Sequence, residues 1–401
     1  MPNNTPEVGT ELGLQCFEGS EKKMEICFVP ENGTHISEIP WDGGMRTYRR
    51  EHWDQVVGLL QGCILLEDVQ EHFDVYLISE SSLFVYNDRV VILTCGTTTL
   101  LKTLSEILGS AERVGLKVSY FQYSRKNFLF PEEQLYPHSS FDQEVQYMSQ
   151  IFEDGHPHVF GPLTSDHWNV FVADRIDRTH GKETVDKEQT LNVYMYDIDH
   201  SVAQLFMKAD PVIIPSILDG TSQQNGGDNN SNSNSQKKAS DKKGDGEKGP
   251  ASEYEQAFSA CAREASDRSG ISALMSDGHV VHDYLFEPCG YSMNGVAKGD
   301  GYWTIHITPE AHCSYASFET NYRCGTYEDL IRRVVNVFKP ARFTTVEHID
   351  CASEAGSRGA QRPADCASHR LVNRVVNDFC GGAYSIQVCN FVVADGAGEH
   401  N

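Results

Sequence analysis

Residues 75–109, VYLISESSLFVYNDRVVILTCGTTTLLKTLSEILG, contain the pattern that decides the fold. Two apolar runs at 75–79 and 83–86 predict strands, and the pair Asn87-Asp88 predicts a tight turn into a third strand at 89–94. A helix follows, because Thr97 or Thr98 can cap a run whose apolar residues recur at helical spacing up to Gly109: Leu100, Leu101, Leu104, Ile107 and Leu108. This stretch therefore predicts a β-hairpin followed by an amphipathic helix.

The same kinds of element continue on both sides of this stretch. Apolar patterns predict strands at 116–123, 168–173 and 190–198, with a helix that begins after Ser139 or Ser140 and runs through Ile151. In the second half, strands at 302–307 and 314–319 precede a helix capped by Thr326 and a strand at 343–349. Strand, strand, helix, strand thus occurs twice. The sequence predicts an internally duplicated α/β (α+β) structure of antiparallel sheets, each with helices on one face.

Composition excludes several classes of protein. Of 401 residues, 39% are hydrophobic, which is enough to build a core and excludes a fully disordered or fibrous chain. The net charge of −24 would repel phosphate backbones, so we expect no nucleic-acid partner. The apolar run at 90–93 is far short of the roughly 18 residues that span a bilayer, and the N-terminus lacks the pattern of a secretory signal. We therefore expect a cytoplasmic protein with no membrane partner.

One segment differs from the rest in composition. Residues 219–250 contain a single hydrophobic residue, Ala239, and cannot bury enough surface to offset the entropy of ordering. We interpret them as a disordered surface insertion in a single domain spanning 1–401, although a linker between two domains fits the same composition. The twelve cysteines include no CxxC pair, so free thiols are expected.

Three local patterns resemble functional motifs but lack a part of each. Two histidine pairs have metal-ligand spacing without a third ligand beside them, so no metal site is expected: His279 with His282, and His156 with His158. Ser292 in GYSMNG resembles a nucleophile elbow, except that Asn294 stands where the second glycine belongs. Residues 95–99 open a helix without the glycine spacing and the lysine of a phosphate loop.

The most informative string is SESS at residues 79–82, which interrupts two apolar strands. Its pattern alone is equally compatible with a β-turn whose hydroxyls cap the backbone. Together with five further blocks in the same order, it resembles eukaryotic S-adenosylmethionine decarboxylase. The six blocks are FEGSEK at 17–22, LISESSLFV at 77–85, TCGTT at 94–98, YSRKNF at 123–128, PCGYSMNG at 288–295 and YWTIHITPE at 302–310. The resemblance spans about residues 16–350, without the 219–250 segment and the tail.

The resemblance implies a pyruvoyl-dependent lyase with a four-layer αββα sandwich fold, in which two antiparallel sheets have helices on their outer faces. It implies that the proenzyme cuts itself between Glu80 and Ser81, giving a beta chain of residues 1–80, an alpha chain of 81–401 and a pyruvoyl group from Ser81. Through a Schiff base with that group, S-adenosylmethionine would lose carbon dioxide and then supply aminopropyl groups for spermidine and spermine. A homodimer of processed protomers is compatible with this family.

The resemblance also assigns roles position by position. Ser81 would attack the preceding carbonyl, Ser292 would supply a hydrogen bond for the acyl shift, and His306 would be the base for the elimination. Strand alternation puts His306 on the face opposite its apolar neighbours. Cys95 matches the proton donor of decarboxylation. The remaining matches are two active-site acids, Glu18 and Glu21, two aromatics around adenine, Phe17 and Phe286, and two acids that contact substrate, Glu80 and Glu310.

Relatives activated by putrescine bind the diamine in an acidic pocket remote from the pyruvoyl group. Four residues keep that character here: Glu25, Glu188, Thr190 and Glu319. Three positions differ, since Leu93 replaces a lysine, Asn192 a glutamate and Gln122 an aromatic residue. Losing an acid leaves a dication incompletely paired, so we expect putrescine to stimulate weakly or not at all. Losing the lysine acts in the opposite direction, because it leaves surplus acid that attracts a cation.

Two other classes of function fit parts of the sequence. A catalytically weak or dead regulatory paralogue would bind and activate a catalytic subunit. A nucleoside-binding module would keep only the substrate contacts. The presence of Ser81, Cys95, Ser292 and His306 argues against both alternatives.

Overall fold

A computed structural model gives the fold of the chain. It describes residues 21–32, 38–40, 42–79, 81–164, 166–175, 189–207, 253–351, 366, 368–379 and 382–394. The predicted insertion at 219–250 lies outside these residues, as do Phe17, Glu18, Glu80 and Glu188. Within the described ranges, no helix has the length and the apolar character that crossing a membrane requires.

The first sheet contains eight strands of the described residues. They are β1 (Lys22–Pro30), β2 (Ile64–Val69), β3 (Phe73–Ile78), β4 (Ser81–Tyr86), β5 (Arg89–Thr94), β6 (Leu116–Lys126), β7 (His156–Phe160) and β8 (Trp168–Asp174). All pairs are antiparallel, in the spatial order β2-β3-β4-β5-β1-β6-β8-β7. As predicted, β4 and β5 form a hairpin, with Val85 opposite Val90.

The second sheet repeats this arrangement. Its strands are β9 (Gln189–Tyr196), β10 (Gly278–Leu285), β11 (Tyr291–Ala297), β12 (Tyr302–Thr308), β13 (Tyr315–Thr320), β14 (Arg342–Asp350), β15 (His369–Phe379) and β16 (Tyr384–Val393). Their order is β10-β11-β12-β13-β9-β14-β16-β15. In each sheet the first strand of the chain lies inside, between the fifth and sixth of its half. The predicted internal duplication is therefore confirmed.

Helices cover the outer face of each sheet. The described residues form α1 (Arg50–Leu59), α2 (Leu104–Arg113), α3 (Phe141–Ser149), α4 (His200–Ala203), α5 (Glu253–Ser269) and α6 (Glu328–Phe338). Apolar residues of α1, α2 and α3 share one core with alternate residues of β1, β4 and β5. Those of α5 and α6 share a second core with β9, β11, β12 and β13. Each helix buries one apolar stripe and leaves its polar side in water.

The inner faces of the two sheets pack on each other. Phe84 of β4 stacks on Tyr302 of β12 with ring centroids 4.1 Å apart, and Tyr120 of β6 meets Tyr384 of β16 at 5.2 Å. Two apolar clusters fill this layer. The order of layers is therefore helices, sheet, sheet, helices, which confirms the predicted αββα sandwich. Buried polar residues also occupy the inner faces, and they form the candidate site.

The helix after β5 differs from its prediction at both ends. Residues Leu100–Thr103 form a 3₁₀ turn, so α2 itself begins only at Leu104. Gly109 lies inside α2 and does not end it. A glycine inside a helix costs about 1 kcal/mol relative to alanine, and the burial of the apolar face of α2 offsets that cost. The chain leaves the helix after Arg113 and turns at Gly115, whose φ is +72°.

The predicted cap of α3 is present, whereas Thr326 lies one residue before the N-cap position of α6, which Tyr327 occupies. The Ser140 hydroxyl accepts a hydrogen bond from the Gln143 amide at 3.2 Å and begins α3. The Thr326 hydroxyl accepts one from the Glu328 amide at 3.3 Å, where α6 begins. Both side chains satisfy backbone donors that the first turn of a helix leaves unpaired.

The tail beyond residue 350 belongs to the second sheet. β16 pairs with β14 along its length, and β15 forms the edge of the sheet. Ile386 and Val388 join the cluster between the sheets, whereas Phe391 joins the outer core. The tail, which the resemblance does not cover, therefore completes the second sheet beyond the strands that bear the predicted site residues.

Candidate active site

Three side chains from three strands meet between the sheets. The Ser81 hydroxyl at the start of β4 lies 2.9 Å from Nε2 of His306 on β12, and the Ser292 hydroxyl on β11 lies 2.8 Å from Nδ1 of the same ring. All three residues are buried. β11 and β12 pair so that Ser292 stands directly opposite His306. The imidazole therefore connects two hydroxyls, one at each ring nitrogen.

The protonation of the His306 ring follows from this environment. Burial lowers the pKa of His306 to about 3, so the ring is neutral at physiological pH. A neutral ring with its proton on Nδ1 donates to Ser292 and leaves the lone pair of Nε2 facing the Ser81 hydroxyl. In that tautomer His306 is a base at Nε2.

Two further hydroxyls surround Nε2 of this histidine. Thr304 Oγ1 lies 2.9 Å from it and Ser82 Oγ lies 3.4 Å from it. Thr304 donates to the Met293 carbonyl at 2.8 Å, and Ser82 donates to Asn294 Oδ1 at 2.7 Å. Because both of these protons point elsewhere, Ser81 is the hydroxyl left to donate to the ring.

The backbone of Ser81 is strained. Its φ of +147° lies in a region that residues other than glycine rarely adopt. Such a conformation costs on the order of 1–3 kcal/mol and persists only where the surrounding structure imposes it. Pairing with Ile78 on β3 and with Thr94 on β5 holds Ser81 in place. Strain is therefore stored at the residue predicted to follow the cleaved bond.

A cavity of about 180 Å³ opens beside the Ser81–His306 pair. Seven of the predicted site residues line it: Glu21, Ser81, Cys95, Phe286, Ser292, His306 and Glu310. Three others, Phe17, Glu18 and Glu80, lie outside the described residues. Further lining residues were not singled out from the sequence, namely Ser79, Cys289, Gly290, Tyr291, Ile307, Thr308 and Tyr315. The fold thus gathers residues from both halves of the chain around one space.

Glu21 lies directly before β1 and is buried. Its pKa rises to about 8, mainly because burial disfavours the carboxylate and also because Glu319 is near, whereas a hydrogen bond from Ser317 lowers it. Glu21 is therefore mostly a neutral acid at pH 7. It can donate a hydrogen bond into the cavity as well as accept one.

The loop that carries Cys95 is fixed by hydrogen bonds from neighbouring elements. Lys22 Nζ donates to the Gly96 carbonyl at 2.7 Å, and Gln134 Nε2 donates to the same oxygen at 3.2 Å. The Thr98 hydroxyl donates to the Cys95 carbonyl at 2.9 Å. These bonds hold the backbone that carries Cys95, whose side chain lines the cavity. Neither Lys22 nor Gln134 could be selected from the sequence, because both act on a loop that is distant along the chain.

Cys289 is a second thiol of the cavity, and it lies against Glu310. Burial raises the pKa of Cys289 to about 12, and its hydrogen bond with the Glu310 carboxylate adds to the increase. The thiol therefore stays protonated and can donate to that carboxylate. Phe286 also lines the cavity, in edge-to-face contact with Tyr284 at 4.9 Å between ring centroids.

A family model described as Adenosylmethionine decarboxylase matches residues 14–392. The chain belongs to this family. The match extends over β15 and β16, in agreement with their place in the second sheet. The chain is thus a decarboxylase that converts S-adenosylmethionine to S-adenosylmethioninamine and carbon dioxide. S-adenosylmethioninamine supplies the aminopropyl groups of polyamine synthesis.

Individual relatives are similar over most of their length. The S-adenosylmethionine decarboxylase proenzyme of Dictyostelium discoideum is 35% identical over 382 residues, which cover 94% of this chain and 86% of the relative. That of Xenopus laevis is 33% identical over 346 residues, 86% of each protein. Among solved structures, the Trypanosoma brucei AdoMetDC-delta26 monomer has a TM-score of 0.52 at 26% identity and covers 78% of this chain and 99% of its own.

In this decarboxylase, the predicted putrescine pocket already contains a cation of the chain itself. Lys23 Nζ on β1 lies 2.9 Å from Glu319 Oε1 and 3.3 Å from Glu25 Oε2. Tyr302 donates a further hydrogen bond to Glu319. Arg89 Nη1 lies 3.7 Å from Glu25 Oε1 and supplies a second cation. These side chains are buried, so two cations and two carboxylates compensate one another in a region of low dielectric.

The departures from the family pattern fit this arrangement. Leu93 lies directly opposite Lys23 in the β1–β5 pair, so a lysine on the neighbouring strand replaces the one missing at 93. Lys23 and Arg89 offset Glu25 and Glu319, and because Glu188 is not described, the expected surplus of acid stays a prediction. Asn192 donates a hydrogen bond to Glu319, where a glutamate would have added charge. Thr190 and Gln122 are buried on β9 and β6, and Glu188 lies outside the described residues.

Proposed function

We propose that this decarboxylase is made as a proenzyme that cuts its own Glu80–Ser81 bond, and that residue 81 then becomes its pyruvoyl group. The observation that carries the proposal is the Ser81 hydroxyl, which lies 2.9 Å from Nε2 of His306 at a strained backbone position. Cys95 and Glu21 line the same cavity, so a carbonyl made at residue 81 would stand beside them.

The first step of the proposed cleavage is an acyl shift. The Ser81 oxygen attacks the carbonyl carbon of Glu80 while His306 takes the hydroxyl proton. The peptide C–N bond then breaks, the nitrogen receives the proton as a free amine, and an ester joins the two residues. We assign Ser292 to this step because its hydroxyl holds Nδ1 of the ring, which keeps Nε2 unprotonated and aimed at Ser81.

The second step is an elimination. Nε2 of His306 takes the α-proton of residue 81, the Cβ–Oγ bond breaks, and Glu80 leaves as a carboxylate. Residue 81 is then a dehydroalanine, whose enamine form converts to an imine. Water replaces the imine nitrogen, which departs as ammonia and leaves a ketone. An imidazole that burial keeps neutral suits this step, because only the unprotonated ring can accept the α-proton.

Turnover uses the same cavity. The pyruvoyl group supplies an electrophilic carbonyl for the substrate amine and a conjugated sink for the electrons released with carbon dioxide. We propose that Cys95 donates a proton to the carbon that loses carbon dioxide. Phe286 and Glu310 contact the adenine and the ribose, and Phe17, Glu18 and Glu80 complete the substrate site.

We also propose that Lys23 takes the place of an activating diamine. Its ammonium, together with the Arg89 guanidinium, already offsets the charges of Glu25 and Glu319, so basal activity does not require putrescine. A cytoplasmic location, a homodimer of processed protomers and the retention of the cleaved beta chain stay predictions of the same proposal.

Intact-mass measurement tests the cleavage. Freshly purified protein should contain an 80-residue chain and a 321-residue chain in place of one chain of 401 residues. The larger chain should begin with a pyruvoyl group. Ser81→Ala is the matched control and should stay uncut. A parent protein that stays uncut after long incubation would contradict the proposal and would favour the regulatory paralogue.

Replacing Cys95 separates cutting from turnover. Cys95→Ala should be cut like the parent, because the hydroxyl and the histidine remain in place. It should lose most of its carbon dioxide release, or protonate the wrong carbon so that the pyruvoyl group becomes alanine. The mass of the larger chain detects that change, and Cys351→Ala, outside the cavity, is the control. Turnover equal to that of the parent would show that Cys95 is not the proton donor.

A further inference from the structure

Tyr315 is a buried tyrosine that opens β13 and lines the cavity. Only 5% of its surface is exposed, and its hydroxyl has no hydrogen-bond partner within the described part of the chain. A buried hydroxyl without a hydrogen-bond partner destabilises the folded chain, because the group has lost its hydrogen bonds to water. A tyrosine in this state inside a substrate cavity therefore points to a partner that the substrate brings.

Neighbouring groups keep this hydroxyl protonated. Burial raises the pKa of Tyr315 well above 10, and Glu21, Tyr196, Tyr194 and Cys95 raise it further. Its ring is positioned by Tyr196, with centroids 5.5 Å apart. The hydroxyl is consequently a neutral donor that stands near both the acid and the thiol of the site.

The other polar residues on this face of β13 are already engaged. Side chains alternate along a strand, so Tyr315, Ser317 and Glu319 point to the same side. Ser317 donates to Glu21, and Glu319 binds Lys23. Tyr315 is thus the member of this face whose hydrogen bond is left for a ligand.

The described lining of the cavity offers an anion no cationic side chain. The described residues that line it include neither lysine nor arginine, and Glu21 is mostly protonated there at neutral pH. The substrate's anionic group is its carboxylate, which disappears in the reaction. An ion pair would stabilise that carboxylate in the ground state and oppose its loss, whereas one neutral donor can orient it at a smaller cost.

We propose that the Tyr315 hydroxyl donates a hydrogen bond to the carboxylate of S-adenosylmethionine and orients it for loss as carbon dioxide. This inference rests on the proposed reaction at residue 81, since it places the carboxylate in the same cavity. Tyr315 is then a substrate-binding residue whose contact exists with the substrate and is absent with the decarboxylated product.

Tyr315→Phe tests this assignment in the processed enzyme. The KM for S-adenosylmethionine should rise about tenfold, the effect of losing one hydrogen bond to a charged group. The inhibition constant of S-adenosylmethioninamine, which lacks only the carboxylate, should stay within about twofold of the parent, and kcat should fall less than KM rises. Tyr384→Phe removes a hydroxyl from the same inter-sheet cluster outside the cavity lining and is the control.

Equal weakening of substrate and product would overturn the inference, since it would indicate a packing role. Unchanged kinetic constants would also overturn the inference. So would a variant that differs only in faster conversion of the pyruvoyl group to alanine, because that result would indicate that the hydroxyl acts on Cys95 and not on the carboxylate. If Tyr315→Phe is not cut, calorimetry of the two ligands in Ser81→Ala, with and without Tyr315→Phe, gives the same comparison. A parent enzyme that is neither cut nor active would instead contradict the proposed function.

Discussion

His306 meets two requirements through one location. In the proposed cleavage, the ring must be unprotonated to act as a base, and it must face the bond that breaks. Burial between the sheets keeps it neutral, and the strand alternation of β12 turns it toward Ser81 while its apolar neighbours enter the outer core. The sequence predicts this direction because a period of two is a local property. It does not predict the contact with Ser81, which requires a second sheet.

Removing this ring should stop the cleavage midway. His306→Ala should still form the ester slowly, because the Ser81 oxygen and its strained backbone remain, but it lacks a base for the α-proton. Hydroxylamine should therefore cut the variant at residue 81 in a gel assay, while buffer alone leaves it uncut. His279→Ala, an exposed histidine on β10, should process normally. A variant that forms a pyruvoyl group at the parent's rate would remove His306 from the mechanism.

β1 shows how one element serves two sites. Lys22 points toward the outer side and holds the loop after Cys95, whereas Lys23 points between the sheets and holds Glu25 and Glu319. The two lysines are adjacent, and the alternation of side chains sends them to opposite faces. Because both residues are lysines, their different roles can be told apart only once they are known to lie on a strand.

The pair Lys23–Glu319 makes control by putrescine testable. Putrescine should stimulate carbon dioxide release of the parent weakly or not at all, because Lys23 and Arg89 already pair with the two carboxylates. Lys23→Ala should lose most basal activity. Millimolar putrescine should raise the activity of this variant about tenfold, which corresponds to about 1.4 kcal/mol of coupling. Lys117→Ala, an exposed lysine on β6, should respond like the parent. A parent stimulated about tenfold would contradict the role given to Lys23.

Local patterns predict elements better than they predict pairing. The β4–β5 hairpin and the Ser140 cap follow from turn chemistry and capping, which depend on a few neighbouring residues. The extension of α2 past Gly109 does not follow from local chemistry, because burial of the apolar face overrides the low helix propensity of one glycine. The Lys23–Glu319 contact and the place of Tyr315 depend on which strands face each other across the sandwich. Seven cavity residues were found only because whole blocks resembled a family.

At the scale of the molecule, both sheets contribute to one buried layer, and its charge state affects stability. The pKa of Glu21 is about 8 in the folded chain, against 4.5 as its ordinary value. The folded state therefore binds the proton more tightly than the unfolded state. This contribution to stability is present below about pH 4.5 and is lost as the pH rises toward 8.

Glu21→Gln should accordingly flatten the dependence of stability on pH. The comparison is made in Ser81→Ala, which stays a single chain. Between pH 5 and pH 8, the urea midpoint of Ser81→Ala should fall further than that of Ser81→Ala with Glu21→Gln. The buried carboxyl of Glu21 must ionise in the folded state as the pH rises, whereas the amide of the Gln variant cannot ionise. Glu132→Gln, an exposed acid, should keep the steeper slope. Equal slopes in Glu21→Gln and its background would show that Glu21 is ionised in the fold.

The separation of Ser81 from Ser292 and His306 also orders events during synthesis. Ser81 emerges from the ribosome with the first sheet, more than 200 residues ahead of β11 and β12. A nascent chain therefore carries an ordinary serine until its second half has been made and has docked. Under the proposed cleavage, prematurely terminated chains would never acquire the reactive carbonyl. On the proposed cleavage, the electrophile would therefore form only in molecules that have finished assembling, without a separate factor to inspect them.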